Sequence, residues 1–433
     1  MSESSLSHLD LRGIGRPLVE SDIPRPNAVV PGTLDTVREI VAGVRDSGDD
    51  AVARYTERFD GIRLERMIYD PRDFEAAFKR ITQQLRDALS VAAEQIRAVY
   101  REELLSEPTT KSRGITVVRR SVPVGRAGCY VPGGAARYPS SVLHTAVVAK
   151  VAGVGEVVVA TPPMADGSID DPTLAACHVA EVDWLVASGG AQAIAAMAFG
   201  TESIPKVDVI VGPGNLYVSL AKQEVARHVG VPSAFAGPSE VVVVADASVK
   251  PVFAALDVAV QAEHGPHGLA WMVTWDQRYA SEVDSALAAY LCSAPREREI
   301  RQTLSTGGYL ALVRDREQAI ELANLIAPEH LELLYQGGLE DSRKVENAGV
   351  VFVGPYASAA FGDYVAGPSH VLPTYGTARF ASVLSIEDFT KRLHTVVVEH
   401  EGLRDLGWAV EELASVEGLI AHAESIAVRR RGV

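Results

Sequence analysis

Val157-Val-Val-Ala160, Trp184-Leu-Val-Ala187 and Val207-Asp-Val-Ile-Val211 are short apolar runs separated by stretches of helical length and composition. A strand this uniformly apolar is buried on both faces, which happens when helices cover both sides of a parallel sheet. Helices are predicted over 140–151, 172–179, 191–199 and 216–229. Alternation of this kind signals an α/β architecture.

The same rhythm continues toward the C-terminus. Strands are predicted at 241–245, 271–274, 310–313 and 350–353, with helices over 251–262, 279–291 and 317–326, so two α/β units of similar build are expected. Toward the N-terminus, helices are predicted over 34–59 and 73–105 and a strand over 115–124. Before them lies an arm carrying Pro24, Pro26 and Pro31, which reads as an extended lead-in. From about Glu387 to Val433 the chain reads as a helical tail, too short for a core of its own, that packs on another domain or subunit.

With 433 residues, the chain is expected to hold two or more domains. Its 41 basic against 56 acidic residues, a formal charge of −15, disfavour nucleic acid and anionic membrane surfaces as partners. The stretch from Ala146 to Pro163 is broken by Lys150, Gly153, Gly155 and Glu156, so no membrane span is predicted there. Met1 to Gly15 carries acids and no apolar core, which predicts no secretory signal peptide. Cys129, Cys177 and Cys292 are few and far apart, as expected of reduced thiols in a cytoplasmic protein.

No GxGxxG, P-loop, GxSxG or HExxH pattern occurs; Gly13-Ile-Gly15 lacks a third glycine and a preceding strand. Any nucleotide must therefore be held by other loops. Three glycine-rich segments stand at strand-to-helix junctions: Gly128-Cys-Tyr-Val-Pro-Gly-Gly134, Gly189-Gly-Ala-Gln-Ala193 and Val211-Gly-Pro-Gly-Asn-Leu-Tyr217. Ligands of open α/β sheets bind outside the carboxyl ends of the strands, near free N–H groups of helix N-termini. Tyr130, Gln192 and Asn215 are placed to contact a nucleotide there, although glycine is also the ordinary residue of tight turns.

Gln261 and His264 share a helix face at i, i+3 spacing, and Asp363 and His422 are further nitrogen and oxygen donors of the type zinc accepts. Taken singly, each pattern also fits a polar cap or surface residue. In Pro328-Glu-His-Leu-Glu332, the neighbours Glu329 and His330 form a candidate acid–base pair at a loop or helix start. His370, in Gly367-Pro-Ser-His370, is a candidate for polarising an oxygen. Gly237-Pro-Ser-Glu240 reads on its own as a turn with an N-cap serine.

Together the segments GCYVPGG, YPSSVLHTA, GGAQAIAAMAFGTESIPKVD, IVGPGN, GPSE, QAEH, APEHLEL, GDYVAGPSHVLPT and EGLIAHAESI resemble the histidinol dehydrogenase family, in that family's order. The resemblance implies two Rossmann-like parallel-sheet domains of aldehyde-dehydrogenase-like architecture. It divides the chain into an arm (1–27), a first α/β domain (28–131 and 239–386) with the metal and catalytic residues, a second (132–238) with the NAD loops, and a C-terminal segment (387–433). It further implies oxidation of L-histidinol to L-histidine by NAD through the bound aldehyde, with one Zn2+ per subunit. Gln261, His264, Asp363 and His422 would ligate zinc. Glu329, His330 and His370 would be catalytic, and Tyr130, Gln192 and Asn215 would bind NAD. Ser239 and Glu417 would hold the substrate together with the ligands and His330. Such proteins are homodimers, so Glu417 and His422 would complete the partner's site.

Two departures stand out: Gly265 follows QAEH where the family often has Asp, and His144-Thr145 stands where Met-Asn is common. Cys129 invites comparison with a thiohemiacetal-forming nucleophile, but no local base accompanies it, and it reads better as a small buried hydrophobe. A zinc hydrolase and a non-catalytic binding protein are the readings from other classes. Release of NADH separates the dehydrogenase from both.

Overall fold

The structure is a computed structural model that describes residues 6–24, 32–104, 106–133, 137–232, 237, 239–265 and 268–432. Pro26 and Pro31 of the arm, Leu105, Gly134 and Pro238 lie outside the described residues.

Arg126–Tyr130, Glu156–Thr161, Trp184–Ala187 and Val209–Val211 form a parallel sheet, with Ile68–Tyr69 added antiparallel at one edge. Its spatial order places the first and fourth of the parallel strands side by side, so the winding reverses between Arg126–Tyr130 and Val209–Val211. Val157 and Val159 face one buried cluster, with the helices Pro71–Arg80, Gln83–Glu102 and Asp171–Val179. Val158 and Ala160 face another, with Thr33–Asp60, Gly190–Phe199 and Leu216–Val225. The alternating faces thus both meet helices, which is why the strands carry no polar alternation. Cutting one of these valines to alanine costs on the order of 2 kcal/mol.

The six-stranded sheet is wholly parallel, in the order Ser7–Asp10, Gly308–Leu312, Leu269–Thr274, Glu240–Ala245, His330–Leu334, Val350–Val353. Val241 and Val243 face the helices Pro251–Ala262 and Gln277–Leu291; Val242 and Val244 face Arg316–Ile326 and the arm residues Leu11, Leu18 and Ile23. A third sheet is antiparallel: Thr390–Val398, Ile115–Pro123, Thr109–Ser112.

The expected mixture of parallel sheets and helices is present, but several elements differ from their sequence reading. The arm is more than a lead-in, because Ser7–Asp10 pairs with Gly308–Leu312. The grouping of 28–131 with 239–386 does not follow the sheets, since Arg126–Tyr130 lies in the five-stranded one, between Glu156–Thr161 and Val209–Val211. The long helix predicted over 73–105 breaks at Ile81 and Thr82, both extended, where the Thr82 hydroxyl caps the next helix through Leu85 N. After a short 3-10 turn at Ile386–Phe389 the tail becomes α-helical from His400; β-branched residues in Thr390–Val398 pair with Ile115–Pro123 first. A helix at Glu297–Gly307 was not predicted. Among the described residues, no helix is long and apolar enough to cross a membrane.

Candidate active site

His330 opens a buried strand, His330–Leu334, rather than a loop or helix start. Ala327, in the left-handed region at φ +52°, turns the chain out of the preceding helix, and Pro328-Glu329 leads into the sheet between Glu240–Ala245 and Val350–Val353. The short run HLELL was missed because a buried central strand lacks alternation and begins here with two titratable residues. Both Glu240 and His330 are first residues of their strands. The acid–base pair therefore lies at the amino ends of the six-stranded sheet, opposite to the ordinary position for an α/β ligand site.

His330 Nδ1 stands 3.0 Å from the carbonyl oxygen of Glu240 and 3.6 Å from Glu329 Oε2. A carbonyl only accepts, so Nδ1 carries the proton and Nε2 presents a lone pair. That Nε2 is buried without a hydrogen-bond partner among the described residues, 3.8 Å from Asp363 Oδ1. Burial, with smaller contributions from His264 and His370, brings the imidazole down to about 4, so it is neutral near pH 7. Glu329 Oε2 accepts the Glu240 N–H at 2.9 Å, yet burial holds its carboxyl well above the usual carboxylate range. A cavity of about 20 Å³, room for one water, is lined by His330, Phe352, Gly362 and His370.

Gln261 closes the helix Pro251–Ala262 and is almost fully buried, and neither its Oε1 nor its Nε2 has a hydrogen-bond partner among the described residues. Leaving a buried amide so costs about 1–3 kcal/mol, unless a group outside this chain pairs with it. Asp363, in the helix Ala359–Tyr364, is raised by burial to about 6. His264 follows the Gln261 helix with its surface open to solvent; crowding by protein and then Arg296 lower its basicity, which favours the lone pair a metal needs. These donors suit zinc. Among the described residues no three His, Cys, Asp or Glu side chains form a metal cluster. His422 is in the exposed helix Ile420–Arg431 and Glu417 just precedes it, both exposed on this chain. Ser239 is half-buried and precedes Glu240.

Both nitrogens of His370 are engaged. Nδ1 donates to the Asp363 carbonyl at 3.1 Å, so Nε2 accepts from Ser141 Oγ at 3.0 Å. His144, fully buried, stacks on it with ring centroids 4.3 Å apart and is surrounded by the carbonyls of Asp363, Tyr364 and Pro368. It lies inside a π-helical turn, Leu143–Val147. Neither Ser141 nor His144 was assigned a role from sequence; the His144 departure was the available signal.

The glycine loops cluster at the carboxyl ends of the five-stranded sheet, beside the winding reversal. Gly212 (φ +104°) passes so close to Tyr130 that a Cβ would collide with its carbonyl oxygen, so only glycine fits. Tyr130 is buried, and its hydroxyl accepts the Gly190 N–H at 3.0 Å. Gln192 is buried in the first turn of Gly190–Phe199, while Asn215 Oδ1 caps Leu216–Val225 through Val218 N at 3.1 Å. Beneath this loop the buried Lys222 donates to the Gly212 carbonyl, and burial lowers its ammonium to about 7. Cys129 is fully buried and its thiol is pushed up to about 12, the state of an inert core residue.

A profile of the histidinol dehydrogenase family matches residues 24–430. The histidinol dehydrogenase of Prochlorococcus marinus (strain MIT 9313) is 44% identical over 397 residues, 92% of this chain and 90% of that protein. That of Bacillus thuringiensis subsp. konkukian (strain 97-27) is 43% identical over 415 residues, 95% and 96% of the two chains. The crystal structure of histidinol dehydrogenase from Elizabethkingia anophelis superposes with a TM-score of 0.93 at 30% identity, covering 100% of this chain and 99% of that one. With a match spanning nearly every element described above, the chain belongs to the histidinol dehydrogenase family, oxidoreductases of histidine biosynthesis.

Proposed function

We propose that this chain catalyses the zinc-dependent, NAD-linked four-electron oxidation of L-histidinol to L-histidine, retaining L-histidinaldehyde between two oxidations. The observation that carries this reading is that, among the described residues, both the His330 Nε2 lone pair and the amide of Gln261 are buried without a hydrogen-bond partner. A base needs the first, and a cation or substrate must answer the second.

Gln261, His264 and Asp363 would hold zinc, with His422 of a second copy supplying the fourth donor. When bound, zinc supplies orientation and Lewis-acid polarisation, and NAD supplies the oxidising power that no side chain here has. His330 Nε2 takes the alcohol proton; its Glu240 bond keeps the ring from rotating away. Glu329, once ionised, then draws a proton from water attacking the aldehyde, while His330 returns the alcohol's proton to the aldehyde oxygen and so regains its lone pair. His330 takes the second proton from the hydrated aldehyde. His370, with both nitrogens occupied, acts by holding the Asp363 backbone rather than by moving a proton. Ser239 and Glu417 of a second copy would bind the substrate's polar ends.

Tyr130, Gln192 and Asn215 would form the NAD site, Tyr130 through the Gly190 loop that its hydroxyl holds. A homodimer is supported by the apolar exposure of the C-terminal helices: Trp408, Leu413, Val416 and Ile420 all face outward. The protein would work in the cytoplasm, without nucleic-acid or membrane partners. Chelation followed by zinc restoration, monitored as NADH formation from L-histidinol, tests the reading. Loss and recovery of turnover are expected; an undiminished rate in the metal-free protein would refute it.

A further inference from the structure

Glu332 belongs to the same APEHLEL segment as the acid–base pair, yet nothing above uses it. It is fully buried, two residues beyond His330 and so on the same face of the strand. That face meets the helix Pro251–Ala262, to which Leu334 and Ala254, Ala255 and Val258 also contribute. Glu332 Oε1 accepts the Ala359 N–H at 2.7 Å, the first N–H of the helix that carries Asp363. Its Oε2 meets no N–H or O–H donor among the described residues. The neighbouring group is the carboxyl of Asp257, close enough for the two acids to act on each other's protonation. Asp257 in turn accepts from Ser358 Oγ at 2.6 Å, and Ser358 is the N-cap of the Asp363 helix. Asp257 lies one turn before Gln261 on the same helix.

Two carboxylates cannot hydrogen-bond to each other unless one keeps its proton, and burial makes ionising both prohibitive. Asp257 already accepts from Ser358 Oγ while Glu332 Oε2 meets no donor among the described residues, so Glu332 is the acid that donates and Asp257 the carboxylate that accepts; burial raises both groups, Glu332 the further. The neutral acid still has Oε1 for the Ala359 amide. Two helices bearing candidate ligands are thereby tied to one strand residue at fixed spacing.

We propose that the Glu332–Asp257 pair is a one-proton clamp that docks the Asp363 helix onto the Gln261 helix, making both acids positioning residues for the metal site. This rests on the zinc reading above but can fail separately from it. Groups behind metal ligands typically change affinity by about 10–100-fold when removed.

The test compares Glu332→Ala and Glu332→Gln with the full-length parent. Zinc affinity is read by competition with a chelating dye, and hydrogen–deuterium exchange is followed in the peptide spanning Ala359 to Tyr364. A glutamine can accept the Ala359 N–H and donate its amide to Asp257. Glu332→Gln should therefore bind zinc within about threefold of the parent, while Glu332→Ala should weaken it about tenfold or more and speed exchange of the helix. Parent-like affinity and exchange in Glu332→Ala would overturn the clamp. So would Glu332→Gln behaving as badly as alanine, since that would mean a negative charge is required. Should Glu332→Ala not fold, the glutamine variant decides alone. If the parent itself binds no zinc, the metal reading fails, and exchange decides the clamp: faster in Glu332→Ala supports it, unchanged refutes it.

Discussion

Ser141 Oγ and His370 Nε2, 3.0 Å apart, join the helical segment that follows the first parallel strand of the five-stranded sheet to the loop that follows the Asp363 helix. The bond links the side that carries the glycine loops to the side that carries the acid–base pair. Serine is the donor, because His370 spends its only proton on the Asp363 carbonyl. Ser141→Ala is expected to lower kcat/KM for L-histidinol about tenfold and stability by about 1 kcal/mol. Steady-state kinetics and urea unfolding check both; unchanged kinetics would show that His370 needs no such anchor.

Glu329→Gln should separate the two oxidations. The first needs only His330, whereas the second needs an activated water, so NADH formed per histidinol should fall from about two toward one. His330→Ala should slow both, by about 100-fold or more in kcat. Stoichiometry and single-turnover traces read the difference, and a full two NADH from Glu329→Gln would remove the water-activating role.

His422 and Glu417 are exposed on this chain, whereas the co-ligands assigned with His422 include the buried Gln261 of the helix Pro251–Ala262 and Asp363 of the helix Ala359–Tyr364. If a second copy delivers them, subunits carrying His330→Ala and His422→Ala should complement each other when mixed. Each mixed dimer would own one intact site, for about a quarter of parental activity after random exchange. No recovery in a mixture shown to contain heterodimers would end the shared-site proposal.

Lys222 gives a prediction for stability against pH. Its folded value, about 7, lies below the ordinary 10.5, so between these values the unfolded chain binds a proton that the folded chain does not. Stability from this residue therefore rises with pH across that window and is lost as pH falls toward 7, with a slope of up to about 1.4 kcal/mol per pH unit. Lys222→Met, which keeps the volume, should flatten the curve between pH 8 and 10 in denaturant titrations. An unaltered slope would mean the ammonium stays charged in place.

How much of this could be read along the chain depends on whether a residue's task is local. Val157–Ala160 announces a strand buried on both faces, because covering helices leave no polar position in it, and the Tyr130 and Asn215 loops stand out through glycines that sharp turns require. Candidate donors such as Asp363 and His264 could be named from the family pattern. Their chemistry could not be weighed, since burial and neighbours set a pKa.

The amino-acid sequence by itself determined two wound parallel sheets and the list of side chains available for chemistry, because periodicity and residue type act over a few neighbouring positions. Only the tertiary structure decided that the buried amide of Gln261 meets no partner among the described residues, that Glu240 chooses the His330 tautomer across 90 residues, and that Glu332 and Asp257 meet at all. Those facts arise from long-range packing, where the cost of burying a polar group is set by whichever distant segment the fold brings against it.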